Sequence, residues 1–303
     1  MSGCWIGLDV GGTGIKGAIV DEKGGVLVQE KVGTSAADGA EAIFGQLVRV
    51  AGKLRDSGLN VSGIGIGSAG RIDRATGTVR YATDNLPGWT GMRLAERIGD
   101  AFGLPVYVDN DANAAAAGEG WIGAAAGLRD YALITLGTGV GGALVCGGRV
   151  LSGRSGAAGE IGHACLYPGG LPCSCGGTGC VEQYVSGTAL NRIARGVSPS
   201  WDSYRLLQAF EEGREEAREA MEGFFRDLSL TIRAVQMFMD PEAVVIGGGL
   251  ADASAVWWEA FQQRWEAEQP YPMPVCPAAL GNRAGVIGAA RIAMVGGFDD
   301  GKP

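Results

Sequence analysis

A nine-residue segment occurs twice in this chain, and the repeat constrains the possible folds more than any other feature of the sequence. Gly12–Val20 reads GTGIKGAIV and Gly137–Val145 reads GTGVGGALV, so the copies agree at six of nine positions at an offset of 125 residues. Each copy follows an apolar run and has the pattern of a strand, a glycine turn and a second strand. Two such units predict a duplicated α/β architecture with two related lobes. A chance likeness between two glycine-rich hairpins is the alternative.

Alternating strand and helix patterns fill the rest of the chain. Apolar runs predict strands at 5–10, 17–20, 63–67, 104–108, 131–136, 142–146 and 243–250. Helical spacing of apolar residues predicts helices at 38–57, about 112–120, 221–239 and from about 285. We expect a small N-terminal lobe of residues 1–113 plus about 285–303, and a large lobe of residues 114–284 that carries the loop-rich, cysteine-rich segment 153–183.

Charge and apolar patterning exclude several classes of protein. The formal net charge is −8, which is the wrong sign for a surface that binds phosphate backbones, so we expect no nucleic-acid partner. The sequence contains no apolar run of about 18 residues, which argues against a membrane partner. The start, MSGCWIGLDVGG, lacks a basic segment followed by an apolar one. We therefore expect no signal peptide and a cytoplasmic location.

Three glycine turns follow predicted buried strands. They are Gly11-Gly12-Thr13, Gly137-Thr138-Gly139 and Gly247-Gly248-Gly249. Glycine lets backbone N–H groups approach phosphate oxygens, and Thr13 and Lys16 add a hydroxyl donor and a positive charge. Asp9, at the end of the first strand, is suited to hold Mg²⁺ through water. One such turn is more often a simple hairpin, but three of them favour a site for ATP in which the last turn packs against adenine and ribose. Neither a P-loop nor a GxGxxG turn that opens a helix is present.

The single histidine of the chain precedes a cluster of cysteines. His163, Cys173, Cys175 and Cys180 lie in the run HACLYPGGLPCSCGGTGC. One nitrogen and three sulfurs satisfy tetrahedral zinc, and the glycines between them let a short loop fold around the ion. Buried thiols or a disulfide are the alternatives, although a Cys173–Cys175 disulfide would close a very small, strained ring. The other cysteines, at 4, 146, 165 and 276, are expected as core fillers, with Cys165 as a spare ligand.

A cluster of carboxylate and amide side chains, Asp109-Asn110-Asp111-Ala-Asn113, follows a predicted strand. Transfer of a phosphoryl group to a hydroxyl needs a base that takes the proton, and Asp111 is our candidate. The alternative is a helix N-cap, in which these side chains only satisfy helix N–H groups. We place the N-cap at Asp111, and that reading is also open for Asp109 and Asn110.

Six motifs, in this order along the chain, resemble the ROK family of bacterial sugar kinases, repressors and open reading frames. They are LDVGGTGIK, VDNDANAAAAGE, LGTGVGGALVCGGRVLSG, GAAGEIGH, CSCGGTGCVE and VVIGGGL. The resemblance runs from about Gly7 to Ala290. It implies a two-lobed actin-like, hexokinase-like ATPase fold, built from duplicated mixed-sheet α/β domains with a cleft between them. It also implies a zinc site at the His-Cys-Cys-Cys cluster and phosphorylation of a free sugar.

The resemblance also assigns residues to roles. Asp111 is the implied base, and Asn110 is implied to hydrogen-bond the sugar. The other implied sugar contacts are Gly70, Arg71, Asn85, Glu160, His163 and Glu182. Carboxylates that accept from two hydroxyls are a sound physical means of recognising a sugar. One ring nitrogen of His163 would bind zinc and the other would face the substrate.

One loop departs from the family pattern. The family usually has Pro-Gly after the GIGIG strand, whereas this chain has Ser68-Ala69-Gly70. We therefore expect a less rigid loop around the implied sugar contacts Gly70 and Arg71.

The resemblance implies ATP and a hexose as partners, catalytic Mg²⁺, structural Zn²⁺ and a homodimer or tetramer. The segments NLPGW and GNRAGVIGAA resemble the glucokinase branch, so we expect glucose to be converted to glucose 6-phosphate. A kinase for N-acetylmannosamine or N-acetylglucosamine shares most of these motifs and is the alternative. A sugar-sensing repressor carries a helix-turn-helix domain before the first glycine motif, and only eight residues precede Asp9. A fructokinase of the family would have a different zinc segment.

Overall fold

Both copies of the repeated segment form strand–turn–strand hairpins in the computed structural model, which describes residues 3–83, 85–269 and 271–297. The described strands are β1 Cys4–Val10, β2 Gly14–Asp21, β3 Val26–Gly33, β4 Val61–Ser68, β5 Arg71–Asp73, β6 Thr78–Tyr81, β7 Val106–Asn110, β8 Tyr131–Leu136, β9 Val140–Cys146, β10 Arg149–Val150, β11 Ala243–Gly247 and β12 Val275–Pro277. The described α-helices are α1 Ala40–Arg55, α2 Leu94–Phe102, α3 Asp111–Ile122, α4 Glu182–Val185, α5 Gly187–Val197, α6 Ser203–Glu211, α7 Glu215–Met239, α8 Ser254–Glu268 and α9 Ala284–Met294.

Two five-stranded sheets have the same strand order. The first runs β3-β2-β1-β4-β7 and the second runs β10-β9-β8-β11-β12. In the first sheet, β4 pairs in parallel with β1 on one side and with β7 on the other. In the second sheet, β11 pairs in parallel with β8 and with β12 in the same way. Equal strand order in both sheets is what duplication of one α/β unit produces, so the interpretation of the sequence repeat as a duplication is supported.

The chain packs as two compact units. The first unit comprises the residues up to Arg129, Leu144–Ala158 and the residues from Asn282 onward, and the second comprises Asp130–Ala143 and Gly159–Gly281. Helix α3 packs within the first unit, against α9 and β4. The lobes predicted from the sequence, 1–113 plus about 285–303 and 114–284, stay a prediction, and residues 298–303 lie outside the described part.

The predicted strands and helices are present, with differences at several ends. Strand β7 begins at Val106 rather than 104, because Pro105 has no N–H to offer a neighbouring strand. Helix α7 begins at Glu215, six residues before the predicted start at 221, since its acidic first turn carries little apolar signal. Helices α2, α4, α5, α6 and α8 were not predicted.

Helix α9 lies directly on the first sheet and on α3, backbone against backbone. A Cβ atom added at Gly65 of β4 would come within 1.7 Å of the Ala289 carbonyl oxygen, and one added at Gly288 would come within 1.6 Å of the Ala114 oxygen. Only glycine permits such close approach. The prediction that the C-terminal helix packs back on the N-terminal part of the chain is therefore confirmed for residues 284–294.

Among the described helices, none combines the length and the apolar composition that crossing a bilayer would require.

Candidate active site

Polar residues from three parallel strands meet at one edge of the first sheet. Asp9 of β1 pairs with Gly67 of β4, and Gly67 pairs in turn with Asp109 of β7. One position further along, Ser68 pairs with Asn110. Ligand sites in α/β proteins form at the carboxyl ends of such strands, so this edge is the candidate site of the first unit.

The structure corrects the predicted N-cap of α3 by one residue. Asn110, not Asp111, is the cap: its Oδ1 accepts from the backbone N–H groups of Ala112 at 2.9 Å and Asn113 at 3.2 Å. Asp111 is the first helical residue and is half-buried, and its Oδ1 accepts from Ala112 N at 2.9 Å. Because Asn110 already caps the helix, the Asp111 carboxylate is not needed for that task.

The first glycine turn brings Asp9, Lys16 and Asn85 into one region. Lys16 Nζ lies 3.5 Å from Asp9 Oδ2 and 3.4 Å from the backbone oxygen of Asn282. Burial raises the pKa of Asp9, although the charge of Lys16 acts in the opposite direction. The backbone oxygen of Asn85 lies 3.4 Å from the position of a Cβ at Gly12, so this predicted sugar contact lies beside the predicted phosphate turn.

The loop after β4 is held from several sides although it lacks the proline of the family pattern. The Ala69 amide donates to Val10 O at 3.0 Å, a bond that a proline at this position could not make. Gly70 has a left-handed φ of 103°, and its carbonyl accepts from Asn110 Nδ2 at 2.9 Å. The predicted contacts Gly70 and Asn110 are therefore brought together. The guanidinium of Arg71 lies over the Tyr81 ring, 5.5 Å from its centre.

The second and third glycine turns meet at the edge of the second sheet. Gly248 has a φ of 86°, and a Cβ there would come within 2.5 Å of the Leu136 oxygen. The first residues of α5 bind the other turn, since Gly187 N donates to Gly137 O and Thr188 Oγ1 donates to Thr138 O, both at 2.7 Å. This contribution of α5 was not predicted from the sequence.

Val140 contacts both Glu182 and the short turn that lies between Glu160 and His163. Glu182 Oε2 accepts from Val140 N at 3.0 Å. A Cβ added at Gly162 would lie 2.1 Å from Val140 O, so the short turn between Glu160 and His163 packs on the same residue. Glu182 and the backbone of the turn at Gly162 thus both contact Val140, the first residue of β9.

The predicted metal ligands form one cluster. Single ligand atoms from His163, Cys173, Cys175 and Cys180 all lie within 4.8 Å of one another. Cys173 Sγ lies 3.7 Å from His163 Nδ1, and Cys175 Sγ lies 3.6 Å from Cys180 Sγ. Zinc–sulfur bonds of about 2.3 Å in a tetrahedron place ligand atoms about 3.8 Å apart, so this donor set fits Zn²⁺.

The thiols of the cluster differ in acidity. Burial acts to raise the pKa of Cys173, but hydrogen bonds from Cys175, Cys180 and His163 outweigh it and lower that pKa to about 7. Burial and the neighbouring thiols raise the pKa of Cys180 to about 12. All seven cysteines lie in the described part of the chain, and none forms a disulfide there. Cys165 is exposed, so the prediction of a core filler is wrong for this residue.

A buried ion pair lies beside the candidate base and was not predicted. Arg74 Nε lies 2.7 Å from Asp109 Oδ2, and the Asp109 side chain is only 2% exposed. Burial raises the pKa of Asp109, and the nearby charge of Arg74 and the hydrogen bonds from Asn113 and Asn110 lower it. The two residues are far apart in sequence, and no local pattern announces the pair.

Known sugar kinases align with nearly the whole chain. The glucokinase of Halalkalibacterium halodurans is 38% identical, with 95% of this chain and 94% of that protein aligned. The N-acetylmannosamine kinase of Salmonella typhi is 31% identical, with 95% and 98% aligned.

A solved structure has the same fold. The ROK family glucokinase from Streptomyces griseus, crystallised with glucose and AMPPNP, is 34% identical and matches with a TM-score of 0.85 over 97% of this chain and 100% of that chain. The prediction of an actin-like, hexokinase-like α/β fold is confirmed by this likeness. The sequence model of the ROK family matches residues 5–295. The chain therefore belongs to the ROK family.

Proposed function

We propose that this protein is an ATP-dependent hexose kinase whose substrate is glucose and whose product is glucose 6-phosphate. The observation that carries the proposal is the 38% identity with a glucokinase over 95% of the chain. A further 34% identity links it to a ROK glucokinase that was crystallised with glucose and AMPPNP. The candidate site residues described in each unit support the proposal.

Asp111 is the general base. Its carboxylate takes the proton of the sugar 6-hydroxyl while that oxygen forms a bond to the γ-phosphorus of ATP and the bond from that phosphorus to the β–γ bridging oxygen breaks, which releases ADP. The hydrogen bond from Ala112 N fixes one carboxylate oxygen of Asp111. Asn110, fixed as the N-cap, binds a neighbouring sugar hydroxyl.

The glycine turns hold the nucleotide. Backbone N–H groups of Gly11, Gly12 and Thr13 in the first unit bind phosphate oxygens, and Lys16 adds positive charge. Asp9 would hold Mg²⁺ through water, and the bound ion would supply further charge neutralisation. In the second unit, the turns at 137–139 and 247–248 bind phosphate and the adenine and ribose face.

Sugar recognition uses acceptors and donors from each unit. In the second unit, Glu160, His163 and Glu182 bind ring hydroxyls, and their common position around Val140 supports a shared role. In the first unit, Asn85 and Gly70 contact the sugar together with Arg71.

The cluster of His163 and the three cysteines would hold structural Zn²⁺, because its donor set and spacing fit that ion. Nδ1 of His163 faces Cys173, which leaves Nε2 for the sugar. The ion would fix the loop and would take no part in phosphoryl transfer.

Thiolate ligands stay reduced in the cytoplasm, where ATP is also available, so we place the enzyme there. We also propose that it acts without nucleic acid, which its net charge of −8 supports, and assembles as a homodimer or tetramer.

An N-acetylhexosamine kinase is the second candidate, since 31% identity with an N-acetylmannosamine kinase supports it. Release of ADP should be measured with glucose, mannose, fructose, N-acetylglucosamine and N-acetylmannosamine. We expect the highest kcat/KM with glucose, by at least about tenfold. A higher value with N-acetylmannosamine would favour the second candidate, and sugar binding without turnover would favour a non-catalytic regulator.

A further inference from the structure

The buried pair of Arg74 and Asp109 lies immediately behind the residues that carry the proposed chemistry. Asp109 is the next-to-last residue of β7, two positions before Asp111, and Arg74 follows β5 in the turn that leads to β6. The side chains are 2% and 11% exposed, so the charges are largely removed from water. A buried pair of this kind contributes little to stability by itself, so its presence calls for another reason.

Asp109 binds the start of α3 as well as Arg74. Its Oδ1 accepts from Asn110 N at 2.7 Å and from Asn113 Nδ2 at 2.8 Å, while Oδ2 faces Arg74 Nε. One carboxylate therefore holds the backbone on one side of Asp111 and a side chain of the helix turn on the other. Both carboxylate oxygens of Asp109 thus lie against groups of the protein, and the side chain is only 2% exposed.

Arg74 connects this carboxylate with two further segments. Its Nη1 donates to Val150 O at 3.2 Å, at the end of β10. The β5–β6 hairpin is also joined to the start of α3 by the bond from Asn110 Nδ2 to Gly70 O. The hydrogen bond from Asn110 to Gly70 and the ion pair of Arg74 with Asp109 thus connect the 70–74 loop to the first turn of α3.

We propose that Asp109 and Arg74 are positioning residues: they fix the Asp111 carboxylate and the 70–74 loop relative to one another within the first unit. The inference rests on the proposed function, because it assigns the pair to the alignment of the proposed base. A displacement of about 1 Å at a catalytic group can cost about 100-fold in rate. The pair should therefore affect turnover more than affinity.

The test uses Arg74→Gln, Asp109→Asn and the double variant, each compared with Arg80→Gln as a matched control. Arg80 lies in the same hairpin and pairs with Asp73 at 2.8 Å, but its side chain is 48% exposed. We expect each single variant to lower kcat by at least about tenfold while the dissociation constant of glucose and the KM of ATP change less than about threefold. Arg80→Gln should keep kcat within about twofold of the original protein.

The double variant separates positioning from general damage. Two amides can form a neutral hydrogen bond where the charges were, so kcat should recover relative to either single variant. Additive losses, or folded single variants with kcat within about twofold of the original, would overturn the inference. If neither single variant folds, Arg74→Lys tests the inference instead. Lysine keeps the positive charge but cannot contact Asp109 through Nε and Val150 through Nη1 at the same time. Its kcat should fall about tenfold with glucose affinity unchanged, and an unchanged kcat would refute the role.

Failure of the proposed function gives a different result. In that case the unmodified protein would not phosphorylate glucose, and Asp111→Asn would change nothing. If only the present inference is wrong, the unmodified protein phosphorylates glucose and Asp111→Asn lowers kcat by about 100- to 10,000-fold, while the Arg74 and Asp109 variants stay active.

Discussion

The indole Nε1 of Trp89 donates a 2.9 Å hydrogen bond to the hydroxyl of Ser68, and both side chains are fully buried. Ser68 ends β4 at the edge where the proposed base lies, and Trp89 closes the segment that begins at Asn85. The bond therefore joins two segments that we assign to the sugar. Together with the Ala69 amide bond to Val10, it fixes a loop in which the family pattern has Pro-Gly. The expectation of a less rigid loop is not supported by these contacts.

Ser68→Ala should weaken this connection. The buried indole N–H loses its acceptor, which costs about 1–3 kcal/mol of unfolding free energy. We also expect a higher KM for glucose with the KM for ATP unchanged, because the Asn85 segment is loosened. Denaturant unfolding and steady-state kinetics measure the two effects. Adding Trp89→Phe removes the orphaned donor and should recover part of the stability; no recovery would argue against the hydrogen bond as the cause.

Asp111→Asn tests the base. Asparagine keeps the shape and the contact with Ala112 N but does not accept the hydroxyl proton, so kcat should fall by about 100- to 10,000-fold. Glucose affinity, measured by calorimetry without ATP, should change much less. Asp100→Asn, at an exposed position of α2, is the control and should leave kcat and glucose affinity unchanged. Near-normal turnover in folded Asp111→Asn would leave the mechanism without its base.

Glu182→Gln should act on sugar binding. The amide oxygen can still accept from Val140 N, so the local structure should persist, while the charge that strengthens bonds to sugar hydroxyls is lost. We expect a rise in the KM for glucose and a smaller change in kcat, because these contacts exist before and during the reaction. Glu215→Gln, exposed in the first turn of α7, is the matched control. A change confined to the KM for ATP would contradict the assignment.

Cys175→Ser should remove the metal. We expect about one zinc per chain in the unmodified protein by elemental analysis, and a clear loss in this variant. The melting temperature and the glucose affinity should fall together, because the same loop carries His163. Cys165→Ser changes an exposed cysteine outside the cluster and should keep the zinc. Metal-free protein with full activity would refute the zinc site.

Gly65→Ala should disrupt the packing of α9. A methyl group there meets the Ala289 carbonyl oxygen at 1.7 Å, which cannot be accommodated without backbone movement. We expect a loss of more than about 3 kcal/mol of unfolding free energy. The control Gly52→Ala lies in α1 with nothing within 4 Å of the added methyl, so it should stabilise by about 0.5–1 kcal/mol. Equal effects of the two substitutions in chemical denaturation would contradict this account.

Local patterns predicted the repeated hairpins, the cysteine cluster and the segment after β7. The N-cap was misplaced by one residue because Asp and Asn cap helices about equally well, and only the three-dimensional contacts separate Asn110 from Asp111. Helix α8 carried a readable signal, since Trp257, Phe261 and Trp265 are buried at a spacing of four. No sequence pattern predicted the pair of Arg74 and Asp109, because strand register and turn geometry bring together two residues that lie far apart in the chain.

Helix α9 also sets the order in which the protein can be completed during translation. All five strands of the first sheet have been synthesised by Asn110, but the helix that covers them emerges from the ribosome roughly 170 residues later. Until then the face of β1 and β4 around Gly7 and Gly65 has no covering helix. The first unit is therefore the first to begin synthesis and the last to be completed. A nascent chain that stalls before Ala284 exposes an uncovered apolar sheet face to chaperones.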